Sequence, residues 1–204
     1  MKIILASGSP RRREILCTLG LEFEIIVPDV DESSDVCDPA ELVKQLSLRK
    51  AQAVRDMLIS RGEDVSDTLI IASDTIVWCG GEVLGKPHDR ADARRMMRML
   101  SGREHSVFSG VALCCGAESC ADFERTKVHF AEISESALEL YLDSCKYLDK
   151  AGAYAIQEAA ALFILGIEGD YLNVVGLPVR RLYELMRDKF GIDMQGLCNK
   201  KADM

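Results

Sequence analysis

Residues 3–13 read IILASGSPRRR, and this stretch says more about the fold than any other. The apolar run Ile3–Ala6 predicts a short strand. Ser9 followed by Pro10 supplies a helix N-cap with proline at the first helical position, so we expect a helix from Pro10 to about Leu19. A strand that passes through a small-residue turn into a helix is typical of an α/β protein.

The same turn predicts an anion site. Backbone N–H groups and the helix dipole favour a phosphate at the start of a helix. The hydroxyls of Ser7 and Ser9 can donate hydrogen bonds, and the planar forks of Arg11 and Arg12 match phosphate oxygens in pairs. The alternative is a solvated basic first turn, but cations are unfavourable at a helix N-terminus unless an anion compensates them. The motif is not a Walker motif, because Gly-Lys-Ser/Thr is missing.

Apolar periodicity and capping residues predict the remaining elements. Strands are expected at 23–27, 69–72, 76–78, 105–115, 123–130 and 163–167, and helices over 39–62, 89–100, 134–141 and 178–190. This alternation predicts an α/β protein with a single mixed, twisted β-sheet flanked by helices.

Composition limits the function classes. The chain has 204 residues, of which 48% are hydrophobic, and this length and hydrophobic content predict one domain of one or two lobes. We place the domain at residues 1–192 and expect a frayed tail at 193–204. The net charge is −8. An acidic chain with 6% aromatic residues is a poor candidate for binding nucleic acid. The N-terminal apolar run is too short for a signal peptide or membrane span, so we expect a cytoplasmic protein without membrane contact, with its scattered cysteines reduced.

Carboxylates at two places are candidates for binding a metal. Asp74 interrupts an apolar stretch, and burying it would be costly unless it binds a cation or hydrogen-bond donors. Asp31 and Glu32 add carboxylate oxygens of the kind that magnesium or manganese prefers. The alternatives are a turn or capping role for Asp74 and a solvated loop for the other two.

Two lysines could neutralise phosphate charge. Lys86 lies between Gly85 and Pro87, which fix its position better than that of an average surface lysine. Lys50 is in the middle of a predicted helix, where a solvated position is the ordinary expectation. For His105 the sequence favours a structural role in a strand.

These segments, in this order, resemble the Maf family of nucleotide pyrophosphatases from about Ile3 to Phe190. The resemblance is carried by Ser7-Gly8-Ser9-Pro10-Arg11-Arg12, Asp31-Glu32, Lys50-Ala51, Ser73-Asp74-Thr75, Leu84-Gly85-Lys86-Pro87, Leu100-Ser101-Gly102-Arg103, Asp149-Lys150-Ala151-Gly152 and Asn173-Val174-Val175-Gly176-Leu177-Pro178.

The resemblance implies a fold like that of inosine triphosphate pyrophosphatase, with a cleft between two lobes, and hydrolysis between the α and β phosphates. It implies that Asp74 accepts the proton and that Glu32 and Asp74 hold a divalent metal, Mg²⁺ or Mn²⁺. By the same resemblance, the residues that contact the phosphates are Ser7, Arg12, Lys50 and Lys86.

Arg11, Thr75 and Gln157 resemble the branch of the family that acts on dTTP and UTP, which implies a role in cleansing nucleotide pools. Glu158 and Ala160 depart from the small or glycine residues usual after the glutamine. The resemblance also allows a homodimer, and it leaves open an alternative function, a nucleotide-binding regulator of septum formation with little turnover.

Overall fold

The fold was obtained as a computed structural model that describes residues 1–194 and 196. The α-helices are α1 (Pro10–Thr18), α2 (Pro39–Ser60), α3 (Arg90–Leu100), α4 (Glu135–Ser144), α5 (Tyr171–Val175) and α6 (Val179–Phe190). The strands are β1 (Lys2–Leu5), β2 (Glu24–Ile25), β3 (Thr68–Cys79), β4 (Glu82–Leu84), β5 (Glu104–Cys115), β6 (Glu118–Phe130) and β7 (Ile164–Glu168). Short 3₁₀ turns lie at Ala151–Ala153 and Ala159–Phe163.

The strands form one seven-stranded sheet in the order β2-β1-β3-β5-β6-β7, with β4 paired to β3. Strand β1 runs parallel to both β2 and β3, whereas β3–β4 and β6–β7 are antiparallel pairs. The predicted single mixed sheet flanked by helices is therefore confirmed. No helix in the described part of the chain combines the length and apolar character needed to cross a membrane.

The chain divides into two compact units, and strands β3, β5 and β6 each contribute residues to both. The first unit comprises Met1–Asp74, Ser109–Glu124 and the described residues from Gly176 on. In its core, buried apolar side chains of α2 pack against strands β1, β3 and β5. They include Ile4, Ala51, Val54, Leu58, Ile70 and Ala112.

The second unit comprises Thr75–Phe108 and Arg125–Val175. Its core is formed by buried side chains of β3, α3, β5, β6 and α4. They include Val77, Met97, Leu100, Val107, Phe130, Leu138 and Tyr141. The expectation of one domain over residues 1–192 and a separate tail stays a prediction.

Short-range capping signals place the helix starts. The side chains of Ser9, Asp38, Asp89 and Ser134 each accept a backbone N–H of the helix that follows. Such a side-chain acceptor satisfies an N–H group that the first turn leaves without a partner. These residues therefore fix where α1 to α4 begin.

The structure differs from the prediction most at β3, β4 and α5, and strand β6 begins at Glu118, earlier than the predicted 123. The two short strands predicted around Asp74 are one continuous strand, β3, so the turn alternative for this residue is wrong. Strand β4 and helix α5 were not predicted. The frayed tail expected at 193–204 lies outside the described residues, apart from Asp193, Met194 and Gly196.

His105 lies in the core of the second unit, as its structural interpretation predicts. It is 3% exposed, its Nε2 lies 2.7 Å from the Tyr154 hydroxyl, and its ring meets that of Phe130 edge-on. Burial lowers the pKa of His105 from 6.5 to about 4. The folded protein therefore keeps this imidazole neutral at pH values where an unfolded chain protonates it.

This difference predicts a loss of stability in acid. As the pH falls from about 6.5 to about 4, the unfolded state takes up a proton at His105 that the folded state does not. His105 should therefore lower the free energy of unfolding by about 3 kcal/mol over this pH range. Above pH 6.5 it should have no effect on stability, and below pH 4 it should cause no further loss.

Urea unfolding of wild type and His105→Gln between pH 7.5 and pH 4 measures this contribution. The difference in the free energy of unfolding between the two proteins should become smaller as the pH falls, because only wild type carries the buried imidazole. Parallel profiles for wild type and His105→Gln would contradict the assignment.

Candidate active site

Three predicted site residues of the first unit converge on one point. The Lys50 ammonium lies 2.7 Å from Glu32 Oε1 and donates a short hydrogen bond to Asp74 Oδ1. Lys50 and Asp74 are both buried, at 9% and 7% exposure, whereas Glu32 reaches in from an exposed loop. Two carboxylates thus face a single cation position.

Helix α2 and strand β3 bring the buried pair together. Lys50 lies in the middle of α2, and Asp74 lies in the middle of β3. A buried ammonium or carboxylate without a partner costs several kcal/mol, so each of the two stabilises the other in the folded chain. The ordinary expectation of a solvated helical lysine is therefore wrong for Lys50.

The two carboxylates of the acidic loop, Asp31 and Glu32, make different contacts. Asp31 accepts the backbone N–H of Ser33 at 2.8 Å and its hydroxyl at 2.6 Å, and these hydrogen bonds lower the pKa of Asp31. Arg49, next to Lys50 on α2, donates to the carbonyl oxygens of Asp31 and Ser33. Arg49 thereby ties down the loop from which Glu32 reaches Lys50, a role that the sequence analysis missed.

Arg12 is held at the start of α1. Its Nη1 donates to Ser7 Oγ at 3.1 Å, and its Nε donates to the Gly176 carbonyl oxygen at 2.8 Å. Burial lowers the pKa of the Arg12 guanidinium, with Arg11 adding to the effect, while negative Asp74 and Glu32 oppose it. An anion beside Arg12 would counter the cost of burying this charge.

The Gly176 carbonyl oxygen is a further positioning group that the sequence analysis did not identify. It accepts hydrogen bonds from Arg12 Nε and, at 3.0 Å, from the buried hydroxyl of Ser73, the residue before Asp74. Gly176 has φ 124°, a conformation that side chains disfavour. Its contact with Ser73 spans 103 residues, so no local pattern could have revealed it.

The other predicted site residues lie in the second unit, except Arg11, which is half-buried on α1. Lys86 is exposed in the loop that follows β4, and Gln157 is exposed between the two 3₁₀ turns. Thr75 follows Asp74 directly in β3 and is half-buried. The contacts described for Lys86, Gln157, Thr75 and Arg11 do not join them in one site, so their roles stay predictions.

Comparison with known families decides the classification. The profile of the family described as Maf-like protein matches residues 2–189. The chain belongs to the Maf-like protein family. The resemblance seen in the sequence is thereby confirmed over nearly the whole chain.

Curated relatives of this Maf-like chain agree with each other in name. A dTTP/UTP pyrophosphatase of Symbiobacterium thermophilum is 47% identical over 186 residues, which cover 91% of this chain and 92% of the relative. A dTTP/UTP pyrophosphatase of Bacillus anthracis is 43% identical over 194 residues, covering 95% and 97%. Among solved structures, the Ham1 protein of Staphylococcus aureus matches with a TM-score of 0.47 and 14% identity, covering 65% of this chain and 73% of that one.

A second group of potential metal ligands lies elsewhere in this Maf-like chain. Among the described residues, Glu104, His129 and Glu168 bring one ligand atom each to within 4.8 Å of one another. The Lys127 ammonium lies 3.2 Å from Glu104 and 3.9 Å from Glu168. Lys127 already supplies a positive charge there, and an ion-pair network on the surface accounts for the group.

Proposed function

We propose that this chain hydrolyses dTTP and UTP to the nucleoside monophosphate and pyrophosphate, and so cleanses nucleotide pools. The observation that carries the proposal is the convergence of Asp74, Glu32 and Lys50 in the unit that also holds Arg12 at the start of α1. The names of the curated relatives support the same reaction and substrates.

Glu32 and Asp74 are the proposed ligands of a divalent metal. Their oxygen atoms contact the same nitrogen of Lys50, so the two carboxylates already converge on one cation. Two carboxylates completed by phosphate oxygens and waters form the donor set that Mg²⁺ or Mn²⁺ prefers. Bound there, the metal would neutralise part of the triphosphate charge and polarise a phosphoryl oxygen.

Asp74 is the proposed proton acceptor for the water that attacks the α-phosphorus. A carboxylate in this role takes one proton as the new P–O bond forms and the bond to the pyrophosphate oxygen breaks. Lys50 holds Asp74 in place through a buried ion pair. If a metal takes the position that this ammonium holds between the two carboxylates, Lys50 would be released to contact phosphate oxygens, which is its proposed role.

The phosphate contacts proposed are Ser7, Arg12, Lys50 and Lys86. Ser7 Oγ accepts from Arg12 and from the Ser9 N–H at 3.2 Å, which leaves its own hydroxyl hydrogen available to donate. Hydrogen bonds from Arg12 and Lys50 would stabilise the charge that develops on the phosphate oxygens.

Arg11, Thr75 and Gln157 are the proposed determinants of base specificity. An amide group such as that of Gln157 offers both a donor and an acceptor, which suits the polar edge of uracil or thymine. Gln157 is exposed, so its amide is accessible to a ligand. A site that hydrogen-bonds a base rejects analogues that lack the matching groups.

Replacing Arg12 with alanine should weaken triphosphate binding. The variant loses a charged hydrogen bond to phosphate, and the binding free energy of such a bond corresponds to a rise in KM for UTP of about tenfold to a hundredfold. We expect a smaller fall in kcat. Steady-state kinetics of wild type, Arg12→Ala and Arg13→Ala measure this. Exposed Arg13 in the same helical turn is the matched control, and equal KM changes in the two variants would contradict a specific role for Arg12.

Pyrophosphate release from a panel of canonical and modified nucleoside triphosphates, with magnesium, with manganese and with chelator, tests the proposal as a whole. Metal-dependent release that is fastest from dTTP, UTP or modified pyrimidine triphosphates is expected. Fast release from purine triphosphates alone would contradict the base assignment. Tight nucleotide binding without release from any of them would contradict the enzyme and favour the nucleotide-binding regulator.

A further inference from the structure

Lys150 is a buried charged group that the proposed chemistry does not use. It is 3% exposed, and its ammonium lies 2.5 Å from the Lys146 carbonyl oxygen, 2.9 Å from Asp149 Oδ1 and 3.4 Å from Glu158 Oε1. An ammonium has three N–H donors, and three oxygen atoms surround this one. Glu158 directly follows Gln157, the proposed base contact.

The segment between Lys150 and Gln157 contains a strained backbone position at Ala153. Gly152 and Ala153 have φ 66° and φ 64°, and Ala153 is the one non-glycine residue with positive φ that the described part of the chain contains. Such a residue costs about 1–3 kcal/mol and persists where surrounding contacts hold it, often at functional sites.

Several contacts hold Gly152 and Ala153 in place independently of Glu158. The Gly152 N–H donates to the Gly85 carbonyl oxygen at 3.0 Å, next to Lys86. The Tyr141 hydroxyl donates to the Ala153 carbonyl oxygen at 2.9 Å. A Cβ atom on Gly152 would lie 2.8 Å from Val77, so this position is closely packed. The beginning of the segment is therefore fixed.

The end of the segment has fewer contacts. Gln157, Glu158 and Ala159 are exposed. The Glu158 N–H donates to the Ala155 carbonyl oxygen at 3.2 Å, its carbonyl oxygen accepts from the Ala161 N–H at 2.9 Å, and its carboxylate reaches Lys150. The contact with Lys150 thus ties the exposed turn that carries Gln157 to the fixed beginning of the segment.

We propose that Lys150 and Glu158 are positioning residues for the nucleobase: their ion pair holds Gln157 where its amide can meet the base. The inference rests on the proposed function. It separates two parts of substrate binding, because the base contact depends on this pair while the phosphate contacts do not.

Binding of two probes in the presence of magnesium tests the separation. One is α,β-methylene-UTP, which has a base and resists hydrolysis, and the other is inorganic tripolyphosphate, which has no base. In Glu158→Ala, Kd for the UTP analogue should rise about two- to tenfold, the range expected for one lost hydrogen bond, while Kd for tripolyphosphate stays unchanged. Glu158→Gln keeps an acceptor oxygen and should recover part of the loss.

A double-mutant cycle shows whether the pair acts through Gln157. In a Gln157→Ala background, adding Glu158→Ala should weaken the UTP analogue no further. The matched control is Glu135→Ala, which removes an exposed ion pair with Arg98 in the same unit and should change neither Kd. Lys150→Met should reproduce the effect of Glu158→Ala if it folds, and Glu158→Ala alone decides the test if it does not.

Equal weakening of both probes, no weakening of either, or full additivity with Gln157→Ala would overturn the inference. The readout is binding, so a wild-type chain that binds the UTP analogue without hydrolysing UTP would contradict the proposed function alone. Failure of wild type to bind the analogue would overturn both proposals.

Discussion

Replacement of Asp74 with asparagine is expected to lower kcat for pyrophosphate release by about two to four orders of magnitude. Asparagine keeps the shape of the side chain, but it cannot accept the proton of the attacking water. It also removes one negative charge from the position where Glu32 and Asp74 meet the Lys50 ammonium. Both proposed roles of Asp74 are therefore lost together.

Steady-state kinetics over a range of magnesium and manganese concentrations separate those two roles. A loss due mainly to weaker metal binding should diminish as the metal concentration rises, whereas loss of the proton acceptor should persist. Asp67→Asn is the matched control, because Asp67 directly precedes β3 and is exposed, with its carboxylate 2.9 Å from the chain N-terminus. Undiminished turnover in a well-folded Asp74→Asn variant would contradict the assignment.

Replacement of Gly110 with alanine should be the most destabilising single substitution predicted from the fold. Gly110 lies on β5, and a Cβ atom there would be 2.1 Å from the carbonyl oxygen of Val43 on α2 and 2.9 Å from Ser47 Oγ. Backbone atoms cannot yield as a flexible side chain can, so α2 would have to move away from β5. The free energy of unfolding should fall by about 4 kcal/mol or more.

Urea unfolding of Gly110→Ala beside Gly166→Ala measures this. Gly166 is also a strand residue, in β7, and a Cβ atom there meets nothing within 4 Å. The control should therefore unfold at nearly the wild-type urea concentration or above it, since alanine reduces the entropy of the unfolded chain. Equal stability of the two variants would mean that α2 does not approach β5 as closely as described.

Local signals predicted the helix starts and most strands. Ser9, Asp38 and Asp89 cap their helices through contacts two or three residues away, which a sequence displays directly. Strand β4 could have been predicted too. Gly80 and Gly81 separate two apolar runs, and a pair of glycines in that setting is a hairpin signal.

The environment of Asp74 could be predicted only in part. Its place between apolar residues pointed to a buried carboxylate with a partner, but the partner is Lys50, 24 residues away, and a helical lysine carries no local sign of burial. The strand continues through Ser73, whose buried hydroxyl donates to the Gly176 carbonyl oxygen. Long-range contacts of this kind determine the structure at positions where the short-range sequence pattern is ambiguous.

The residues on which the site depends indirectly were the least visible in the sequence. Arg49 binds carbonyl oxygens of the loop that carries Glu32, and backbone acceptors leave no trace in residue types. In the sequence, Lys150 stood out only as part of the family motif Asp149-Lys150-Ala151-Gly152, and its pairing with Glu158 became apparent from the fold. Such supporting contacts need coordinates, whereas the groups proposed to touch the substrate are marked by their chemistry.

Phosphorus NMR of the products formed from UTP with magnesium tests the central claim most directly, because it identifies the bond that is cut. The account predicts UMP and pyrophosphate in equal amounts from wild type and negligible amounts of either from Asp74→Asn. Formation of UDP and orthophosphate would contradict cleavage between the α and β phosphates, and equal product formation by the two proteins would contradict a reaction centre at Asp74.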